Sequence, residues 1–492
     1  MVNVTAYLLL SLFPLSIYWS MRRFGFDRLS SALGGLVASL PATDLLYGLG
    51  FASYVWAGHG LYTQLWAMVL LPPALALGYR VLREGRGYFW TTLLLAAALM
   101  SHLIYGYMAF LTLGVLTFLR PLGLLNVKSI VGGMWRRWRR LLILFLLVTV
   151  VTSYFLVPFF LDRPYLNLSV WEEQTKYDSY GHIAVLRDLV KGNLFDFNRF
   201  PSLTILMAVG FVICLLRWRE ERYLIPVAIF SFWLLLYFGR PTWGIFMDLL
   251  PMSHDIPIHR FIAGVHLGGI YLAAIALATP WRWAISRPNV LYLLVPVAVT
   301  LLILLPVYRE RQTYLLQNAF GLRESQQVQA AEDQDLRPLF EKLKQLPPGR
   351  VYAGQSGDWG DQYLVGYTPV YVLLLAERLD SMGAIYHRLS LNSDLEAVFD
   401  DNLWEQYNLY NVRYVVAPED LTFPDFVRPL QQFGRHHLYQ VETTGYFDLV
   451  GSGLEFAGGR TDFYTAASAW LASELPSNKQ HPTMLLGRPT KK

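Results

Sequence analysis

The strongest constraint on this chain is a series of long apolar segments that fills the sequence before residue 309. A membrane-spanning helix needs about 20 mostly apolar residues, because the hydrocarbon core of a bilayer is about 30 Å thick. Ten such segments can be placed, near residues 4–20, 29–43, 61–79, 88–103, 105–119, 141–161, 202–217, 223–239, 262–280 and 289–308. Only 16% of the residues are charged, against about 25% in soluble domains. The sequence therefore predicts an α-helical polytopic membrane protein with about ten transmembrane helices.

The basic residues of the connecting loops are unevenly distributed. With alternating spans, seventeen Lys and Arg residues lie in loops on one side and seven on the other. Because cytoplasmic loops carry an excess of positive residues, we expect the N-terminus and everything from Arg309 onward to be extracytoplasmic, with the protein in the plasma (cell inner) membrane. Basic clusters beside apolar runs are typical of a membrane surface, and they argue against nucleic acid as a partner.

The character of the sequence changes after Tyr308, where polar residues replace the apolar runs. Alternating helical and β-branched stretches predict a small α/β domain at residues 309–475, following a transmembrane domain at 1–308 and preceding a flexible tail at 476–492. The predicted helices lie at 336–346, 394–409 and 461–475, and the predicted strands at 350–353, 412–418, 438–441 and 447–450.

Several functional classes lose support from missing motifs. Cys214 is the only cysteine, so an internal disulfide and a thiol-based metal site are excluded. The sequence contains no P-loop, dinucleotide fingerprint, G-x-S-x-G elbow or HExxH motif, which argues against ATP-driven transport and zinc proteolysis. Asp and Glu are almost absent from the span interiors, which weakens the case for a proton-coupled transporter.

Ionisable residues near the outer membrane boundary are the informative ones, because a charge there is costly unless it is used or paired. Three predicted outer loops supply the candidates for catalysis and substrate binding. They are Asp44 and His59 in the first loop, Asp162 and Arg163 in the second, and His254, Asp255, His259 and Arg260 in the third.

The candidate residues of the third loop form the densest group, and they have two interpretations. A histidine and an aspartate of this group could share a divalent metal or act as acid and base, and Arg260 could bind a phosphate in bidentate fashion. Alternatively, Arg260 extends to lipid phosphates and Asp255 pairs with it. A capping role for Asp44 and a solvated helix end at Asp162 and Arg163 remain open as alternatives.

Two further places combine polar and aromatic residues. Asp358-Trp359-Gly360-Asp361 fits a sugar-binding loop, and equally a tight turn with aromatic residues in the core. His102, with Tyr105, lies at a predicted outward-facing hairpin turn at Ser101 and His102, between two apolar segments. A lone histidine at such a place is either functional or a satisfied interfacial residue.

A resemblance to known proteins is carried by seven short stretches, namely Gly60–Leu65, Leu70–Leu75, Ser101–Leu103, Leu250–Met252, His259–Phe261, Leu346–Tyr352 and Asn411–Pro418. These stretches resemble those of large membrane proteins of the GT-C glycosyltransferase superfamily. The resemblance is strongest to the group called "6-pyruvoyl-tetrahydropterin synthase-related" membrane proteins.

The resemblance implies transfer of a sugar from a polyprenyl-phosphate carrier at the outer face of the membrane. GT-C enzymes place an acidic residue in the first large outer loop, just after their first helix. Because this chain is predicted to begin outside, it resembles a GT-C core without the leading helix and that loop, through a truncated start or a true loss. Asp44 could replace the missing acid only by analogy.

In this hypothesis Asp44 or Asp255, with His254 nearby, activates the acceptor or holds a divalent metal. Arg260, helped by Arg163, binds the carrier phosphate, and the soluble domain engages the acceptor. His59, Asp162 and His259 are further candidates for substrate binding. The alternatives are a non-catalytic membrane scaffold or accessory subunit, whose soluble domain binds a partner or glycan, and a lipid or polysaccharide transporter.

Overall fold

The computed structural model describes residues 2–43, 48–51, 54, 62–119, 127–383 and 390–486. The chain forms two compact units. The helical unit comprises Met1–Pro158 and Glu173–Gln312, and the C-terminal unit comprises Phe159–Glu172 and Thr313–Lys492. The second unit therefore includes a short segment, 159–172, from a loop that the sequence places between two spans.

The helical unit is built mainly from apolar helices. Its helices are Val2–Arg23, Arg28–Ala38, Tyr62–Glu84, Tyr88–Ser101, Leu103–Leu116, Val127–Val151, Ser153–Leu161, Gln174–Asp178, Gly181–Lys191, Ser202–Leu216, Glu221–Tyr237, Arg240–Trp243 and Ile262–Ile285. Short 3₁₀ turns lie at Gly244–Leu249, Ile258–Phe261 and Val290–Leu293. The helix Leu294–Gln345 contributes residues to both units.

Among the described residues, four helical segments are long and apolar enough to cross a membrane, namely Val4–Arg23, Tyr62–Glu84, Ile258–Ile285 and Val290–Gln345. Two bent pairs raise this number to six if each pair is one span, and three shorter apolar helices accompany them. The protein is thus an integral membrane protein, but the predicted count of ten spans is not confirmed. The helix Arg28–Ala38, for example, has only 11 residues, about 16 Å at 1.5 Å per residue.

The segment Ile258–Ile285 lies at the centre of the helical unit, since its most apolar stretch is completely buried by protein. Close packing is possible because the helix carries small residues toward its neighbours. A Cβ atom added to Gly268 would lie 2.5 Å from the backbone nitrogen of Phe230. This helix therefore provides a fixed platform for the residues at its N-terminal end.

Two of the predicted spans are sharply bent. The helix ending at Val151 meets Ser153–Leu161 at 81°, and Glu221–Tyr237 meets the segment Arg240–Leu249 at 80°. Pro158 lies inside the first bent arm, and proline removes a helical hydrogen bond one turn earlier. In the second case Gly239 adopts a φ of +67°, which glycine tolerates and which ends the helix.

The strands of the C-terminal unit are β1 Arg350–Tyr352, β2 Leu364–Val365, β3 Thr368–Pro369, β4 Ser381–Met382, β5 Val412–Pro418, β6 Arg428–Phe433, β7 His436–Gln440, β8 Gly451–Gly458 and β9 Gln480–Leu486. Five of them form a mixed sheet in the order β4-β1-β5-β7-β6. β1 is parallel to β4 and β5, whereas β7 is antiparallel to β5 and β6. Pairs β2–β3 and β8–β9 form two small separate sheets. The helices are Val370–Ala376, Ser393–Glu396, Trp404–Tyr410 and Arg460–Leu471, with 3₁₀ turns at Arg163–Tyr165 and Trp359–Asp361.

The α/β character predicted for this region is confirmed, with three local corrections. The predicted helix 394–409 is two short helices, the predicted strand 447–450 is not a strand, and β8 begins at Gly451 instead. The predicted flexible tail contains β9, which pairs in parallel with β8. The tail prediction was wrong at residues 480–486 because the strand has no alternating apolar pattern to mark it.

His436 on β7 is a buried titratable group that joins three parts of this unit. Its side chain is completely buried, with Nδ1 2.5 Å from the Tyr363 hydroxyl and Nε2 2.9 Å from a Glu332 carboxylate oxygen. Burial lowers the pKa of His436 below its usual value, and Arg435 acts in the same direction while Glu332 opposes it. The folded state therefore holds the ring neutral more readily than the unfolded chain does.

We expect the C-terminal unit to lose stability as the pH falls through about 6.5, the pKa of an unfolded histidine. Below that value the unfolded chain takes up a proton that folded His436 does not, so stability decreases until the folded pKa is reached. Unfolding of the full-length protein, followed between pH 7 and 5, should show a smaller decrease for His436→Gln. The half-buried neighbour His437 provides the control. If His437→Gln reduced the pH dependence of stability as much as His436→Gln does, His436 would not be the group responsible.

Candidate functional site

A buried arginine lies at the start of the central segment of the helical unit. Arg260 is on the 3₁₀ turn Ile258–Phe261 and is only 8% exposed. Its Nη1 donates a hydrogen bond of 2.8 Å to Gln64 Oε1 and lies 3.2 Å from His102 Nε2. A guanidinium ion in such a place carries a large desolvation cost, which makes it the first candidate for a functional role.

The partners of Arg260 come from two other helices. Gln64, on Tyr62–Glu84, is fully buried, and its Nε2 donates to the Tyr105 hydroxyl at 3.1 Å. His102 interrupts the chain between Tyr88–Ser101 and Leu103–Leu116 with an extended backbone, and its ring packs edge-on against Tyr105. We call Arg260, Gln64, His102 and Tyr105 the Arg260 cluster.

The predicted break at Ser101 and His102 is confirmed, and it explains how His102 reaches this position. A Cβ atom on Gly106 would come within 2.5 Å of Leu99 Cβ, so the two short helices touch closely beside the break. Gln64 was not predicted as a site residue. Two signals could have found it: it is a polar side chain in a mostly apolar stretch, and it lies within Gly60–Leu65, one of the stretches that carry the family resemblance.

His259, the neighbour of Arg260, has a different environment. It is buried, and its Nδ1 lies 2.7 Å from the backbone oxygen of Lys176, on the short helix Gln174–Asp178. This contact ties a loop segment to the start of the central segment. His259 therefore has a positioning role in the structure, alongside its predicted role in substrate binding.

In the third loop, His254 Nε2 lies 3.0 Å from Asp248 Oδ1, so the structure gives this histidine a carboxylate partner. Arg240 donates to the same oxygen at 2.6 Å and also faces Asp178 at 3.4 Å. Between Asp248 and Asp255 the chain forms a turn in which the Asp255 N–H donates to the Met252 carbonyl, with Met252 at a φ of +60°.

A divalent metal would need several acidic or histidine ligands. Within the described ranges, no three His, Cys, Asp or Glu side chains come together as a metal-ligand set. Asp44 and His59, the candidates in the first loop, lie outside the described residues. The divalent metal suggested by the sequence is therefore not given a set of ligands by the described residues.

Asp162 and Arg163 belong to the C-terminal unit, whereas Arg260 belongs to the helical unit. Asp162 is exposed, and the carbonyl of Arg163 lies 3.5 Å from the Arg460 guanidinium. The structure thus places these two residues in a segment that packs within the α/β region.

That segment is held by a buried carboxylate. Asp394 is completely buried and accepts hydrogen bonds from Asn167 Nδ2 at 2.9 Å, Ser169 Oγ at 2.6 Å and the Val170 N–H at 3.2 Å. A bridge between Leu166 and Ser390 extends the contact. Asn167 is the asparagine of an N-glycosylation sequon, Asn-Leu-Ser. In the folded chain its side-chain amide donates to this carboxylate.

The C-terminal unit contains a cavity of about 760 Å³. Its wall is mainly apolar and aromatic, including Phe456, Phe463 and Trp470, with Arg350 and Glu396 as charged groups. Burial raises the pKa of Glu396, and Arg350 partly opposes the shift. A cavity of this size with a few polar groups fits a small organic ligand.

The loop Asp358–Asp361, by contrast, uses its polar groups internally. Asp358 accepts from the N–H groups of Gln355 and Gly360 and from the Tyr352 hydroxyl at 2.7 Å. The 3₁₀ turn Trp359–Asp361 is therefore a tight turn with aromatic residues in the core, the second of the two interpretations that the sequence left open.

A model of a family described as a family of unknown function, DUF6541, matches residues 1–382. No curated protein matches the chain. Among solved structures the chain is similar to the archaeal oligosaccharyltransferase AglB from Archaeoglobus fulgidus, solved with an inhibitory peptide and a dolichol-phosphate, with 12% identity, a TM-score of 0.39, and coverage of 83% of this chain and 57% of that one. It is also similar to apo ArnT from Cupriavidus metallidurans, with 17% identity, a TM-score of 0.38 and coverage of 88% and 82%.

The chain thus spans little more than half of the length of AglB. At these TM-scores the likeness is too remote to assign an activity. None of these matches names the pterin-synthase-related group, which stays a prediction from the sequence.

Proposed function

The chain belongs to the DUF6541 family, whose function is unknown, and from that premise we propose that it is a GT-C-like membrane glycosyltransferase. It takes sugars from polyprenyl-phosphate carriers at the outer face of the membrane. The observation that supports this proposal most directly is the Arg260 cluster. A buried cation among apolar helices is a functional-site hypothesis in its own right.

Arg260 suits a phosphate for geometric reasons. Its guanidinium is a planar fork of donors that matches phosphate oxygens. Gln64 and His102 contact one of its nitrogens and hold the side chain in one orientation. A carrier with a long apolar chain would bring its phosphate to such a position while its tail stays in the bilayer.

The acceptor side of the reaction needs a carboxylate and a place to bind. Asp255 lies five residues before Arg260 on the third loop, and Asp44 is the candidate in the first loop. In this proposal one of the two acts as the general base for the acceptor hydroxyl. The aromatic wall and Glu396 of the C-terminal cavity suit the rings and hydroxyl groups of a sugar acceptor.

The test is a transfer assay with labelled polyprenyl-phosphate sugars and the purified full-length protein in liposomes. We expect turnover by the wild type and a loss of about 100-fold or more in either Asp44→Asn or Asp255→Asn, because a general base contributes about 10²–10⁴-fold. Asp425→Asn, an exposed carboxylate of the C-terminal unit, serves as the control. Equal turnover in the wild type and both loop variants would remove these carboxylates from the mechanism.

A second candidate is a non-catalytic scaffold or accessory subunit. It is favoured by the third loop, where Asp248 is occupied by Arg240 and His254 in a surface ion-pair network typical of a structural loop. Absence of turnover by the wild type with every carrier sugar, combined with retained binding of a glycan or protein to the C-terminal unit, would favour this candidate over the enzyme.

A further inference from the structure

We propose that the arginine-rich surface of the helical unit contains a binding site for the phosphate of an anionic phospholipid. The site is a cavity of about 220 Å³ lined by Arg83, Arg136, Arg137 and Arg140, with Thr117 and Leu119 at its side. It lies at the ends of the helices Tyr62–Glu84 and Leu103–Leu116 and beside Val127–Val151. It is separate from the Arg260 cluster, with which it shares no residue.

Two of the guanidinium groups are held in place by backbone carbonyls. Arg140 Nη1 donates to the carbonyls of Leu82 at 2.8 Å and Arg83 at 2.7 Å. Arg137 Nη1 donates to the carbonyl of Leu119 and lies 3.5 Å from that of Thr117. Carbonyls at helix C-termini attract cations, so these side chains are ordered before any ligand binds.

The positive charge at this cavity exceeds the negative charge around it. Glu221 pairs with both Arg83 and Arg137. Among the residues that line the cavity, four are arginine and none is Asp or Glu. An excess of oriented guanidinium groups around a polar cavity is the arrangement that recognises phosphate oxygens.

The surroundings of the cavity favour a lipid as the source of that phosphate. Trp135, Trp138 and Phe118 are exposed beside it, and such aromatic side chains are typical of the membrane–water interface. Farther along the same helix, Leu142 and Phe145 are also exposed. The cavity is smaller than the roughly 300–1,000 Å³ of whole-ligand pockets, so it takes a headgroup while the acyl chains lie along the apolar helix face.

The experiment measures binding of short-chain phosphatidylglycerol and phosphatidylcholine to the purified full-length protein in neutral detergent, by native mass spectrometry. We expect the wild type to bind phosphatidylglycerol more tightly than phosphatidylcholine. The double variant Arg136→Gln with Arg140→Gln should bind phosphatidylglycerol at least about tenfold more weakly, as expected for lost charged hydrogen bonds. Arg136→Gln alone, which removes an exposed side chain, should weaken it about fivefold. Phosphatidylcholine binding should be the same in all proteins.

Arg139→Gln is the matched control, because Arg139 is on the same helix and does not line the cavity. An equal loss in Arg139→Gln would show that only diffuse surface charge attracts the lipid and would overturn the proposal. The same holds if wild type binds both lipids equally. Complete displacement of phosphatidylglycerol by excess inorganic phosphate would overturn the lipid assignment, because it would identify a site for free phosphate.

Discussion

Replacement of Arg260 by Gln is expected to weaken binding of a polyprenyl phosphate by at least about tenfold while leaving binding of the corresponding polyprenyl alcohol unchanged. A hydrogen bond to a charged group contributes about 1.5–3 kcal/mol, and a phosphate on the guanidinium fork would lose at least one. Gln is uncharged, and its side chain is two bonds shorter than that of Arg, so the variant removes the charge together with the contact of 2.8 Å to Gln64 Oε1.

The comparison between the phosphate and the alcohol separates a binding role from a structural one. If Arg260 only supports the helix junction, both ligands will bind less well, since the defect would be in the fold. Arg187→Gln is the control, because Arg187 is an exposed arginine of the helical unit, 3.8 Å from Asp188. Equal affinity of wild type and Arg260→Gln for the phosphate would remove Arg260 from the proposed carrier site.

The membrane class and the general position of the Arg260 cluster could be predicted from the sequence, because both depend on local composition. A run of apolar residues next to a charged loop identifies a helix end without any knowledge of packing. Arg260 was singled out in this way. Its contacts could not be predicted, since Gln64 is 196 positions away in the chain and only the folded bundle brings the two together.

The contacts within the third loop could not be predicted either. The sequence suggests that a histidine and an aspartate of this loop act together, but it does not indicate which two. His254 contacts Asp248, and Met252, which lies between them, has a positive φ. This conformation is not encoded in a turn motif such as Asn-Gly, so the contact is seen only in the folded chain.

In the C-terminal unit, the strands that could be predicted are the buried ones. β5, Val412–Pro418, is β-branched and almost entirely buried, and it was predicted at that position. β6, Arg428–Phe433, is exposed at all but its last residue and includes two glutamines. It lies at the edge of the sheet next to β7. It is a strand because of its backbone hydrogen bonds to β7, and its side chains show no pattern from which a strand could be predicted.

Replacement of Asp394 by Ala is expected to destabilise the C-terminal unit by about 1–3 kcal/mol, the cost of leaving a buried hydrogen-bond donor without its acceptor. The carboxylate accepts from Asn167, Ser169 and the Val170 N–H, and the buried amide of Asn167 would be left without its acceptor. Because these donors all lie in the segment 159–172, that segment should separate from the sheet region before the rest unfolds. Hydrogen exchange at residues 166–171 is the direct measurement, with chemical unfolding of the full-length protein as the second.

Two further variants make this prediction specific. Asp394→Asn keeps the volume and one acceptor oxygen but turns an amide toward a donor. Its loss of stability should therefore lie between those of the wild type and Asp394→Ala. Asp425→Ala removes an exposed carboxylate of the same unit and should change stability by less than about 0.5 kcal/mol. Unchanged exchange at 166–171 in Asp394→Ala would mean that the bridge between Leu166 and Ser390 holds the segment without the carboxylate. The Asp394 carboxylate would then not be needed to hold this segment, and the reason for burying it would have to be functional.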